Sequence, residues 1–397
     1  PILFCLMAFV IGLSAGSTVL VGQAWGAQNI EKVRAVVGST IFMTLIGGSF
    51  IAFLGVIFAR PILSALGIDE DVMHLSLPYV QWMLAGSPLL FVYIIYTSIL
   101  RGVGDSTTPL IASGITILIG LCVTPVLIAG YFGFPKLGIV APAIATILGF
   151  VSVLTFLYFY LNYKQHPLRL DAQLLRHIRF DRQLSKIILR LGVPTGIQMI
   201  TTSVAGLVIV GLVNRHGADA TAAYGSVNQV LNYIQFPALS IAIAASIFGA
   251  QAIGAGKSEL LAIVTRTALG MNIIITGSLV VLAYLFSKYL MALFITDHAV
   301  VELGQQLLFI VLWSILFFGA SAIFASIMRA SGTVTMPMII NIIAIIAIEV
   351  PCAYLFSEWW GLQGIWYAYA LAFVSLCIMQ GLYYQLVWKK KTIETLI

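Results

Sequence analysis

Of the fourteen acidic side chains in the 397 residues, thirteen stand in polar loops or at the ends of apolar runs. The fourteenth, Glu349, lies inside Ile345-Ile346-Ala347-Ile348-Glu349-Val350-Pro351. Apolar surroundings disfavour a carboxylate. Such a group is therefore expected either to exchange a proton or hold a cation, or to be a structural acid hydrogen-bonded to a neighbouring segment. Pro351 cannot donate a backbone hydrogen bond, so it frees a carbonyl close by that could serve as an oxygen ligand. Two further runs carry polar side chains at helical spacing. Thr195, Gln198 and Thr202 follow i, i+3, i+7, and Tyr224, Asn228, Asn232 and Gln235 follow i, i+4, i+8, i+11. Asn341 falls two helical turns from Glu349, on broadly the same side. Taken singly, each stripe fits interhelical hydrogen bonding; taken with Glu349, they predict one polar cavity. Tyr93, Tyr96, Trp313, Trp366, Tyr367 and Tyr369 could receive an organic cation on their ring faces or serve as packing and interfacial residues.

The elements that must position these groups follow from composition. Hydrophobic residues make up 61% and charged residues 9% of the chain, and mean hydropathy is +1.06, against about 45–50% apolar residues in soluble domains. That excludes a soluble enzyme and predicts a polytopic all-α membrane protein. Spans are expected near 1–21, 35–58, 75–100, 108–131, 138–161, 187–213, 220–247, 262–287, 300–327, 336–356 and 362–387. The polar stretch 162–186 separates a first lobe of five spans (1–161) from a second of six (187–397). Within it, Leu174, Leu175 and Ile178 oppose Arg176, Arg179 and Arg182, the pattern of an amphipathic segment lying on an anionic leaflet.

Cytoplasmic loops are enriched in Lys and Arg. Threading the eleven spans puts sixteen of the twenty basic residues on one side and four (Arg60, Lys136, Arg215 and Lys288) on the other. The linker and C-terminus are thereby assigned to the cytoplasm and Pro1 to the outer face. The net charge of +6 is thus a topology signal, with no nucleic acid partner implied. Cys5, Cys122, Cys352 and Cys377 lie in apolar runs without metal or redox spacing and are read as packing residues.

The two lobes repeat one another. Gln23-Ala24-Trp25-Gly26-Ala27 matches Gln251-Ala252-Ile253-Gly254-Ala255, and Arg101-Gly102-Val103-Gly104 with Pro109 matches Arg329-Ala330-Ser331-Gly332 with Pro337, each at an offset of 228. Pro125 pairs with Pro351, and Gly138-Ile139 with Gly364-Ile365, at 226. Both copies run in the same direction, so the repeat is parallel. The span 187–213 lacks a partner, and the offset places that partner before Pro1, giving eleven spans of an expected twelve.

With these motifs in this order, namely Gly22-Gln23-Ala24-Trp25-Gly26-Ala27, Arg101-Gly102-Val103-Gly104-Asp105 with Pro109, Gly192-Val193-Pro194, Gly249 to Gly256 and Gly364-Ile365-Trp366, the chain resembles the multidrug and toxic compound extrusion (MATE) transporters, nearest the DinF-like prokaryotic branch. The resemblance implies two pseudo-symmetric helical lobes, a monomer in the bacterial inner membrane, and export of amphipathic, often cationic organic molecules by alternating access. Export would be in antiport with H+ or Na+ as coupling ion and without another cofactor. The branch's coupling residues do not carry over. Its first-helix Asp has no counterpart in this chain, its Asn and Asp before a Pro are replaced by Gly120 and Thr124 before Pro125, and another branch's Glu falls at Thr202 or its neighbours. Glu349 is left as the ion-coupling residue, with the cavity assigned to Asn341, Thr195, Gln198, Thr202, Tyr224, Asn228, Asn232 and Gln235.

Two alternatives remain. A lipid-linked saccharide flippase of a related superfamily would need a basic cavity, yet no Lys or Arg falls mid-span. An intramembrane enzyme would need a buried His beside a nucleophile, yet His74, His166, His177, His216 and His298 lie in loops or at span ends. No GxxxxGK[ST] loop exists for direct use of ATP.

Overall fold

In hydrocarbon every backbone polar group must be satisfied within the chain, and continuous helices are the simplest way to do so. The computed structural model describes residues 2–397, with side chains from Leu6 onward. Pro1 and the side chain of Cys5 lie outside the described residues. All eleven predicted spans are present as apolar helices: α1 (Ile2–Gly26), α2 (Ile30–Ala65), α3 (Glu70–Gly102), α4 (Thr107–Ala129), α5 (Ala141–Tyr163), α7 (Arg182–Asn214), α8 (Ala218–Gly254), α9 (Leu260–Leu285), α10 (His298–Ala330), α11 (Thr335–Trp360) and α12 (Leu362–Leu386). A short helix, α6 (Ala172–His177), lies in the linker. Large side chains such as Phe53, Leu118, Leu121 and Phe248 point outward, where lipid would cover them.

The chain divides into two compact units, 1–193 and 194–397, with the boundary inside α7 beside Pro194. In the first unit α3 packs against α1, α2 and α5, and α4 against α5. Hydroxyl pairs tie these helices together: Ser14 Oγ donates to Ser98 Oγ at 2.7 Å, and Ser17 and Thr40 share a bond of 2.9 Å. The linker is also docked in this unit. Leu168 and Leu174 are fully buried, α6 packs on α2, and the Tyr96 hydroxyl donates to the Leu168 carbonyl. Leu174 therefore faces protein rather than lipid, because α6 presents it to α2. Leu175 and Phe180 stay exposed. Cys122 is exposed as well, and Cys352 packs against the second unit's core.

In the second unit α8 runs along α10, and α12 packs on both α10 and α11. The repeat is visible in the turns of both units. Gly104 and Gly332 adopt φ of 89° and 85°, and Gln28 and Gly256 adopt 56° and 70°. The same closing bonds recur 228 residues apart: Gly104 N to Arg101 O and Gly332 N to Arg329 O are both 2.9 Å.

Candidate functional site

The site is built on an irregularity in α11. Pro351 lacks an N–H, and its ring crowds the carbonyl four residues earlier. The helix accommodates this by widening into a π-helical segment, Ala344–Glu349, that ends on the acid. The widening also changes which way Glu349 points. Along an α-helix it would stand about 80° from Asn341, whereas π-helical steps of roughly 80° per residue bring the two onto nearly one face.

Glu349 is half-buried, and α12, which packs along this stretch of α11, carries Tyr369, whose hydroxyl meets that of Tyr224 on α8. Those hydroxyls share a hydrogen bond of 2.9 Å, and Asn228 stands one turn after Tyr224 on α8. Trp366 fixes both rings from below. It is fully buried, its centroid is 5.4 Å from Tyr224 and 5.5 Å from Tyr369, and the whole group belongs to the second unit's apolar core. The arrangement is a pair of phenols on an apolar base, with a carboxyl on the adjoining helix. Its chemistry is the acceptance, donation and local exchange of a proton, with hydroxyl dipoles able to turn toward whichever form the acid takes.

Of the residues expected to line the cavity, the structure ties Tyr224 to a neighbouring helix through its hydroxyl. It adds Tyr369, read from the sequence only as a possible ring for an organic cation. Asn341 lies on the acid's face of α11, and its Oδ1 is buried without a hydrogen-bond partner. Thr202 is exposed, and its hydroxyl donates back to Gln198 O on its own helix at 3.0 Å. Asn232 is exposed too, and Thr195, Gln198 and Gln235 are half-buried. Of the other aromatics, Tyr93 bonds Ser113 at 3.0 Å, Tyr96 is engaged by the linker, and Trp313 and Tyr367 are exposed. His216 stands 3.4 Å from the Ser357 hydroxyl, a proximity that residues 141 apart in sequence could not reveal, but its Nδ1 faces the Leu212 carbonyl and among the described residues no acid completes a triad. Among the described residues no three of His, Cys, Asp and Glu cluster as metal ligands. Gln380, buried on α12 with an unpartnered Oε1, was missed. Its spacing of eleven residues from Tyr369, three full turns, was the available signal.

A model of the MatE family matches residues 1–126 and 194–355. The chain belongs to the MatE family. It is 44% identical over 400 residues to the "Probable multidrug resistance protein YoeA" of Bacillus subtilis, an alignment covering 100% of this chain and 86% of that relative. A "FAD transporter" of Shewanella oneidensis is 24% identical, over 97% of this chain and 84% of its own length. Among solved structures, a point mutant of the Vibrio cholerae MATE transporter VcmN superposes with a TM-score of 0.89 at 21% identity, covering 99% of this chain and 88% of that one. At that identity the likeness concerns the fold. As a MatE member the chain is an integral membrane transporter of small organic molecules and not an enzyme.

Proposed function

We propose that this transporter is an antiporter of the bacterial inner membrane that expels amphipathic organic cations in exchange for protons, with Glu349 as the coupling acid and the two lobes alternating access to a central cleft. The linker and C-terminus are cytoplasmic and the working unit is a monomer. The observation that carries the reading is the setting of Glu349, the one acid mid-way along an apolar run, on the helix that packs against α12, whose Tyr369 pairs with Tyr224. A carboxyl with neutral hydroxyl neighbours suits a proton, whereas sodium would require several further oxygen ligands. Aromatic faces beside a carboxyl favour cationic cargo, and the relatives named for multidrug resistance support a broad substrate range.

The test is efflux of a fluorescent organic cation from proteoliposomes under an imposed proton gradient or an imposed sodium gradient. Wild type is expected to respond to the proton gradient, Glu349→Gln to lose that response, and Tyr369→Phe to keep a reduced one. Proton-driven efflux that persists unchanged in Glu349→Gln refutes the assignment, and drive by sodium alone refutes the choice of ion.

A further inference from the structure

The linker between the lobes carries charge that the fold does not use. From Lys164 to Arg190 it and the first turns of α7 hold seven Lys and Arg residues against two acids. Both acids serve as helix caps. Asp171 accepts from Leu174 N–H at 2.9 Å and faces Arg169 at 3.4 Å, and Asp181 accepts from the N–H groups of Gln183 and Leu184 at 2.9 and 3.0 Å. Arg176, Arg179, Arg182, Lys186 and Arg190 are all exposed, and among the described residues none of them meets an acid.

These cations stand on a fixed base. An added Cβ at Gly38 of α2 would collide with the His177 carbonyl, so glycine lets the end of α6 lie this close. Arg34 donates to Gln173, Leu174 is fully buried, and the Phe180 ring lies 6.3 Å from that of Phe42 on α2. The outward side is apolar as well as basic. Of the trio expected to face lipid, Leu174 is buried and Ile178 half-buried, so Leu175 and Phe180, 58% and 61% exposed, take that place. The first turns of α7 continue the pattern. Arg182, Lys186, Leu189, Arg190 and Val193 fall on one side of that helix and are exposed, whereas Ser185, Ile188 and Leu191 are buried. Along the exposed side, charge at the linker end gives way to apolar Leu189 and Val193.

We propose that this face is a docking surface for anionic phospholipids of the leaflet it borders, with Leu175 and Phe180 inserted at the acyl boundary and the five cations against the phosphates. Charge complementarity selects the occupant. Cations clustered beside the end of a span draw anionic lipid, and an Arg guanidinium meets a phosphate through two N–H donors at once. A soluble acidic segment would answer the charge alone, whereas lipid also supplies hydrocarbon to Leu175 and Phe180. Because α6 is held to α2 on its other side, the bound leaflet fixes the depth of this end of the first lobe.

The test uses the full chain in nanodiscs of phosphatidylcholine, alone or mixed with phosphatidylglycerol. Both faces of a nanodisc present the same lipids, so the outcome does not depend on which side of a membrane holds the linker. Backbone hydrogen exchange from Ala172 to Arg190 is compared in wild type, in the triple variant Arg176→Gln/Arg179→Gln/Arg182→Gln, and in Lys136→Gln, whose cation lies at the other end of the first lobe's spans. Phosphatidylglycerol is expected to slow exchange in wild type about fivefold or more, the factor that one surface cation contributes, and less so at high salt. Lys136→Gln should keep the slowing and the triple variant should lose it. Equal exchange of wild type in the two lipids overturns the docking without reference to any variant's folding, and slowing that survives in the triple variant overturns the assignment of the cations. Protection by soluble polyglutamate in phosphatidylcholine discs, matching that by phosphatidylglycerol, overturns the choice of lipid.

Discussion

Gly138 and Gly364 occupy equivalent places in the two lobes, and the structure requires glycine there for different reasons. Gly138 adopts φ of 58° with nothing within 4 Å of where a Cβ would stand. At Gly364 an added Cβ would lie 2.7 Å from Ser357 N and closer still to the Phe356 carbonyl. Ordinary Cβ contacts begin near 3.4 Å, and the opposing atoms are backbone at the end of α11, so relief requires moving one helix against the other. Gly138→Ala should therefore cost only the left-handed backbone penalty, about 1–2 kcal/mol. Gly364→Ala should reach the upper end of overpacking costs, about 3 kcal/mol or more. Five residues after Gly364 stands Tyr369, whose 2.9 Å bond to Tyr224 depends on the position of α12. Thermal unfolding of the purified chain should rank wild type above Gly138→Ala and Gly138→Ala above Gly364→Ala, and only the last should lose proton-driven efflux. Equal or greater destabilisation by Gly138→Ala would refute the assignment of space, rather than backbone conformation, to Gly364.

Acid should loosen the docked linker. The His166 Nδ1 accepts from Leu168 N–H at 3.1 Å, its Nε2 faces the Asp105 carboxylate at 3.5 Å, and burial holds the imidazole below its ordinary value, with Asp105 opposing. A lowered folded-state value means the unfolded linker takes up its proton first. The His166 contribution is full above about pH 6.5 and declines as pH falls through the folded-state value. Asp171 acts in the same direction: its hydrogen bond from Leu174 N–H, reinforced by Arg169 and Arg34, holds it below the usual carboxylate range, and its contribution is lost at lower pH still. Tryptic cleavage of the linker should accelerate as pH falls from neutral through about 6.5, and His166→Asn should flatten that dependence; an unchanged profile would count against it. In the second lobe, Gly319→Ala should place a Cβ 2.8 Å from Asn272 Cγ and dislodge the carboxamide whose Nδ2 donates to Leu316 O at 3.0 Å, at a cost of about 1–3 kcal/mol. Adding Asn272→Ala should recover part of that loss, and strictly additive melting shifts in the double variant would disprove the contact.

The sequence by itself determined the architecture and the acid. Every span was legible because the bilayer demands about 20 apolar residues per crossing, whatever packs around them. The repeat was legible because its turns need particular residues at fixed offsets: Gly104 and Gly332 are called for by their positive φ. Glu349 stood out because one carboxyl in an apolar run is visible without neighbours. Tertiary structure decided what surrounds it. Regular 3.6-residue spacing grouped Thr202 and Asn232 with the site, and both are exposed. It put Asn341 on broadly the same side as Glu349 without foreseeing the π-helical segment before Pro351. Nor could it reveal that Tyr369, 145 residues from Tyr224, completes the hydroxyl pair, or that Leu174 of the linker packs on α2. Hydrophobicity fixes which segments enter the membrane. Which polar side chains meet inside it depends on helix rotation and local changes of pitch, and those follow from packing against neighbours distant in sequence.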